Sequence, residues 1–302
     1  MFKKLTAALY LVLFIMNSSY AGGESDLSSK TMSNSNLYGA YTLSFGELDW
    51  RSISTFANEP NLYQPVSIDG WIGKRLSEDT EGIIRSKLTY FGGRTGNTSQ
   101  PEDDAVRSTF NIEILHLRHY ESSTSFLNLG YYYVDENESG FANTDTINIS
   151  SSLGYVTDSL ILGLGAGTTE QRNSAFVVDE LVFFHIAYKL PITSKFNLIA
   201  SKHYSEYQRK LSCCADSPDE DMDITGLKLT YDLENSLISF GGDRYTIDNS
   251  RTNGTNFPKN KGGSVYLSWT IPIGGSSSKR TNFIMENRPA LEEVLGFGAA
   301  LN

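Results

Sequence analysis

Leu160-Ile161-Leu162-Gly163-Leu164-Gly165-Ala166-Gly167 is the stretch that decides how this chain folds. Leu160, Leu162, Leu164 and Ala166 take every second position, and apart from Ile161 the residues between them are glycines. A period of two sends one set to one face of an extended strand and the other set to the opposite face. Val265, Leu267, Trp269, Ile271 and Ile273 alternate with Tyr266, Ser268, Thr270 and Pro272 in the same way. So do Leu127, Leu129, Tyr131 and Tyr133 against Asn128, Gly130 and Tyr132, and Ile147, Ile149, Ser151, Leu153 and Tyr155 against Asn148, Ser150, Ser152 and Gly154. One face is apolar and the other is small or polar.

Extended outward from these segments, the alternation predicts about twelve strands, near 36–48, 65–75, 82–92, 107–119, 124–134, 145–156, 159–169, 176–190, 195–205, 223–232, 237–247 and 263–273. In strands 4, 8 and 9 the parity is ambiguous, because apolar residues stand on both faces. The connections after odd strands read as mostly long and polar: Gly93 to Val106, Asp135 to Thr144, Glu206 to Met222 and Asp248 to Gly262. Those after even strands read as tight: Glu121-Ser122-Ser123, Thr157-Asp158, Pro191 to Ser194 and Leu233 to Ser236. Long extracellular loops alternating with short periplasmic turns are what a membrane-spanning antiparallel barrel shows, and strands of about ten residues suffice for its apolar band. The fold class expected is therefore all-β, a transmembrane antiparallel β-barrel over 35–274 with both barrel ends periplasmic.

The N-terminus carries Lys3 and Lys4, an apolar run from Leu5 to Met16, and a small-residue close at Ser18-Ser19-Tyr20-Ala21. These are the three parts of a secretory signal peptide, expected to be cut after Ala21. The apolar run is too short to anchor a helix across a bilayer. Residues 22–34 read as a flexible, Ser-rich periplasmic lead. Residues 275–302 read as a periplasmic C-terminal tail or an extra strand: a Gly-Ser run, a possible short helix from Ala290 to Leu295, and a possible strand over Leu295 to Leu301. With 17 Tyr, 16 Phe and 26 Gly but 39% hydrophobic residues overall, the composition suits alternating strands better than helical cores. A net charge of −10 argues against a nucleic-acid partner. The two cysteines, Cys213 and Cys214, are adjacent and cannot staple distant strands.

The chain resembles the Gram-negative outer-membrane β-barrels, porin-like and of about twelve strands. The resemblance implies the outer membrane as location, the barrel-assembly machinery and the outer-membrane lipids with their lipopolysaccharide as partners, and a passive channel for small hydrophilic solutes as function. Twelve strands also resemble the translocator domain of autotransporters, here as a solitary barrel without a passenger. A departure from the pattern is the ending Leu301-Asn302 in place of a terminal aromatic residue.

With the apolar face toward lipid, the candidates for lining the pore are Asp69, Arg85, Lys87, Glu113, Asp179, His185, Lys228 and Asp243. Charges of both signs inside a barrel either orient and select solutes or pair into a filling that closes it. The acidic segments Glu102-Asp103-Asp104, Asp135 to Glu138 and Asp216 to Asp223 read as solvated extracellular loops; Asp219, Asp221 and Asp223 lack the spacing of a calcium loop. His203-Tyr204-Ser205 resembles the His-Tyr-Ser run of outer-membrane lipid A deacylases, which implies a hydrolytic dyad of His203 and Ser205 facing lipid. On the strand parity His203 faces the lumen instead, and Glu206 stands where that family has an Asn. His116, His119 and His185 have no metal-ligand spacing, and no phosphate loop or Ser-His-Asp signature occurs, so neither a metal nor a cofactor is expected. The alternatives to the channel are a structural or surface-interaction barrel without an open pore, and a lipid esterase.

Overall fold

The computed structural model describes residues 37–50, 61–95, 105–138, 144–172, 176–211, 219–250, 260–274 and 279–287. Twelve strands follow in chain order: β1 (Leu37–Trp50), β2 (Asn61–Arg75), β3 (Thr80–Thr95), β4 (Ala105–His119), β5 (Thr124–Glu138) and β6 (Thr144–Val156). Then come β7 (Leu160–Arg172), β8 (Phe176–Pro191), β9 (Phe196–Leu211), β10 (Asp219–Leu233), β11 (Ser236–Ser250) and β12 (Asn260–Gly274). Each pairs antiparallel with its sequence neighbour, and β1 pairs with β12 from Tyr38↔Gly274 to Asp49↔Gly263, which closes the barrel. Closure matters because lipid offers no partner to an unpaired backbone group at a sheet edge.

The tight turns fall at one end. Leu76 N donates to Thr80 O at 2.8 Å, Tyr120 N to Ser123 O at 2.8 Å, and Thr157 N to Leu160 O at 2.8 Å. Threonines set two of these turns: the Thr157 hydroxyl accepts from Leu160 N at 2.9 Å, and that of Thr193 from Phe196 N at 3.0 Å, a local side-chain bond that competes with continued strand. The connections at the opposite end are mostly longer, although the one after β7 spans only residues 173–175. The strands run 13 to 16 residues, longer than the alternation predicted. The extra length comes from polar tips: Asp219, Asp221 and Asp223, expected in a loop, lie in β10, and Asp135 to Glu138 lies in β5. A ladder above the apolar band is paid for by backbone hydrogen bonds, so its side chains need not be apolar.

Outward-facing side chains form an apolar belt around the whole barrel. Phe45, Ile84, Ile112, Leu129, Ile149, Leu164, Val182, Leu227, Phe240 and Leu267 are all large, apolar and about half exposed. A contiguous surface of this kind far exceeds the few hundred Å² that water-soluble monomers tolerate. It is the face that lipid covers.

The inner face holds a helix. After β12, Gly274 adopts a φ of +76°, and a Cβ there would lie 2.5 Å from the Leu37 carbonyl oxygen, so glycine is what lets the chain leave the last strand at this angle. Residues Lys279–Asn287 then form α1 inside the short-turn mouth. Its Phe283, Ile284 and Met285 are buried among inward-facing Tyr38, Trp71, Ile83, Leu115, Leu117, Phe126, Val156, Ile161, Ala187 and Ile199. Three consecutive apolar residues point about 100° apart around a helix axis, which suits a helix enclosed on all sides rather than one lying on a surface. Burying each is worth roughly 1.5–3 kcal/mol. The tail is thus neither an appendage below the barrel nor a strand over the residues described; the helix expected at Ala290 to Leu295 and the strand at Leu295 to Leu301 fall outside the described residues.

The belt has a testable consequence. Leu164, 53% exposed on the outer face of β7, should tolerate Arg poorly. Leu164→Arg should cost about 2–4 kcal/mol of unfolding free energy in lipid vesicles, as a cation near the middle of the apolar band does. Reversible unfolding followed by tryptophan fluorescence measures it, and a loss below about 0.5 kcal/mol would mean that this face meets water.

Candidate functional site

The lumen is divided between a packed side and a hollow one. On the packed side, against β4 to β9, Asn111, Glu113, Asn128, Tyr132, Asn148, Ser150, His185 and Ser205 are all buried, while His203, buried as well, stands in the wall of the hollow side. Asn128 Nδ2 donates to Glu113 Oε2 at 2.9 Å and to the Tyr132 hydroxyl at 3.2 Å, and Asn148 Nδ2 donates to Thr168 O at 3.0 Å. His185 lies flat over Gly163 of β7, where a Cβ would come within 2.4 Å of its ring. The glycines that alternate with leucines in β7 therefore make room inside the barrel, while the leucines face lipid.

On the hollow side, a cavity of about 370 Å³ is lined by residues of β1 to β4 and β8 to β12 and is floored by Met285, Glu286 and Asn287 at the end of α1. Asp69 on β2 and Arg85 on β3 form a two-pronged pair in its wall: Arg85 Nε donates to Asp69 Oδ1 at 3.0 Å, and Arg85 Nη2 to Asp69 Oδ2. Such fork-to-carboxylate pairs fix both groups in one geometry. Lys87, directly across from Asp69 in the β2–β3 register, adds a positive charge to the same wall. Across the cavity Asp243 of β11 accepts from Ser264 Oγ at 3.4 Å. Lys228 of β10 donates from Nζ to the Glu286 backbone oxygen at 3.3 Å.

Of the eight residues singled out for the lumen, Asp69, Arg85, Lys87, Lys228 and Asp243 line this cavity. Glu113 and His185 also point inward but stand in the packed side. Asp179 lies in β8 at a register irregularity between Val178 and Glu180, and its side chain is outside the described residues. Sequence reasoning missed the floor, because Glu286 and Met285 sit in a segment with no strand alternation. A signal was present in the triplet Phe283-Ile284-Met285, too short for a strand of this barrel and too apolar for a free tail.

His203 and Ser205 share the inward face of β9, at 3% and 0% exposure, so neither reaches lipid. The ring nitrogens of His203 and the Ser205 hydroxyl find no hydrogen-bond partner among the described residues, each other included. The imidazole stacks at 6.2 Å on Phe183. A general base must reach the hydroxyl it activates, and this pair does not.

The acidic tips face outward above the apolar belt. Asp221 lies opposite both Glu206 and Asp248, and Asp223 pairs with Lys202 at 2.8 Å. Exposed pairs of this kind contribute about 0–1 kcal/mol. Among the described residues no group of three or more acidic, His or Cys side chains could hold a metal ion. Glu102 to Asp104, Cys213 and Cys214 lie outside the described residues.

A closed antiparallel barrel of twelve strands with an apolar exterior and a polar lumen has the fold of the outer-membrane β-barrels. Among solved structures the chain is similar to an outer-membrane channel from Pseudomonas putida F1, at a TM-score of 0.55 and 7% identity over 82% of this chain and 100% of that one. It is also similar, more loosely, to the translocator domain of the autotransporter NalP from Neisseria meningitidis, with a TM-score of 0.41, 10% identity, and coverage of 89% and 97%. The KdgM porin solved with a disordered oligogalacturonate matches at a TM-score of 0.36 and 10% identity, with 79% of this chain and 99% of that one covered. No family model and no curated protein matches the sequence.

The burial of the dyad sets a clear expectation for Ser205→Ala. Cells producing it and cells producing the wild type should give the same lipid A acylation by mass spectrometry. An acyl chain lost only with the wild type would show that the serine acts on lipid.

Proposed function

We propose that this protein is a channel for small hydrophilic solutes, entered from the cell surface through the charged cavity. The observation that carries the reading is the hollow half of the lumen, where Asp69, Arg85, Lys87, Asp243 and Lys228 surround a cavity of about 370 Å³. Charges fixed in a narrow, low-dielectric wall act on passing ions with little screening. Twelve strands enclose more space than the eight whose own side chains fill the interior, and the unfilled part is available to solute. On this reading the signal peptide is removed after Ala21, residues 22–34 lie in the periplasm, the assembly machinery inserts the barrel, and lipopolysaccharide surrounds its outer half.

A second reading, a structural or surface-interaction barrel without a pore, is favoured by the packed side and by α1 in the mouth. Planar-bilayer recordings separate the two. Purified full-length protein should give resolved unitary steps, and Lys87→Glu should shift the reversal potential in a salt gradient toward cation preference. Absence of steps at either polarity, in the wild type and the variant alike, would favour the structural barrel.

A further inference from the structure

We propose that α1 is an autoinhibitory plug that closes the periplasmic mouth and leaves it reversibly, with Arg280 as its latch. This rests on the channel reading, and it adds what sets the conducting state.

The geometry separates a seat from a latch. The seat is the apolar ring of wall residues around Phe283, Ile284 and Met285, to which nine consecutive strands, β1 to β9, contribute. The latch is a single guanidinium. Arg280 Nη1 donates to Ser123 O at 2.9 Å, Thr124 Oγ1 at 3.1 Å and Tyr120 O at 3.3 Å; Nη2 donates to Glu121 O at 3.3 Å, and Nε to Asp158 Oδ1 at 3.3 Å. These acceptors belong to the β4–β5 and β6–β7 turns, on the opposite side of the ring from β12, where the chain left the wall. Gly274 and Arg280 therefore stand on opposite sides of the mouth. At the inner end Lys228 Nζ donates to a carbonyl of the helix C-terminus, where the helix dipole favours a cation, and between the two ends Lys189 Nζ lies 4.8 Å from the Phe283 ring centre.

Two features make this a plug and not a welded part of the wall. The helix makes none of the barrel's ladder bonds, so its departure breaks no strand pairing. It is joined to β12 only through Gly274 and residues 275–278, so no strand of the wall continues into it. The helix also has direction: Lys279 and Arg280 stand at the periplasmic end and Glu286 at the inner end, so an applied field acts on it with a definite sign. A negative periplasmic side draws the cationic end outward.

The test uses the full chain throughout, in a Cys213→Ser, Cys214→Ser background. Bilayer recordings compare the wild type with Arg280→Ala, Arg280→Lys and Ile284→Asp, each first shown to keep the gel shift of a folded barrel between unboiled and boiled samples. In parallel, Ile284→Cys, alone and combined with Arg280→Ala, is exposed to a bulky polyethylene-glycol maleimide. Losing hydrogen bonds to a charged group shifts such an equilibrium by about tenfold or more. Open probability should therefore rise by that factor in Arg280→Ala, less in Arg280→Lys because an ammonium lacks the fork, and most in Ile284→Asp. Opening should be favoured with the periplasmic side negative, and labelling of Ile284→Cys should accelerate in step when Arg280→Ala is added. Equal conductance and equal labelling in all variants would overturn the plug and leave the channel standing. Faster labelling with no conductance in any protein would overturn the channel reading, and the gate with it.

Discussion

Every feature of this molecule depends on one constraint: a backbone in lipid must satisfy its own hydrogen bonds. The chain meets it by pairing β1 with β12, from Tyr38↔Gly274 to Asp49↔Gly263, so that no strand has a free edge. Once the ladder is closed, each side chain has two directions available. Leu160, Leu162 and Leu164 meet lipid, while Ile161, Gly163 and Gly165 meet the lumen. The period of two in the sequence is the imprint of that closure.

Closure creates a second problem, because a ring of twelve strands is wider than its own inward side chains fill. This protein divides the space three ways. Against β4 to β9 a polar network with Glu113, Asn128 and Tyr132 packs the interior. At the short-turn mouth Phe283, Ile284 and Met285 supply an apolar filling that the wall cannot. The remainder is the charged cavity, held open by groups fixed to one another, as Arg85 is to Asp69. The residues that shape the cavity overlap with those that hold the helix: Lys228 lines the first and binds the second, and Trp71 and Ile199 belong to both.

The acidic stretches illustrate how polarity and position combine. Asp219 to Asp223 reads as loop because nothing apolar marks it, yet it is strand, its ladder continuing past the membrane where water accepts charged side chains. Hydrophobic alternation reports where lipid ends, and hydrogen bonding decides where the strand ends. The two limits differ by several residues at the long-loop tips. At the short-turn end, where turns such as Thr157 to Ser159 follow directly on the apolar residues, they coincide.

By itself the sequence determined the all-β class, the number of strands, the alternation of mostly long with tight connections, and the inward parity of Asp69, Arg85, Lys87, Lys228 and Asp243. These are local properties, since a period of two and a turn-forming threonine are each legible within ten residues. Only the tertiary structure decided which inward residues share a cavity, why Glu113 and His185 do not, and why His203 and Ser205 stay buried and apart. It also explains the ambiguous parity of strands 4, 8 and 9: Leu115, Leu117, Ala187 and Ile199 are apolar and face inward because a helix from the far end of the chain packs on them. No local pattern encodes that, because a residue buried against α1 and a residue exposed to lipid are selected by the same hydrophobic effect, and only closing the barrel around the helix tells the two apart.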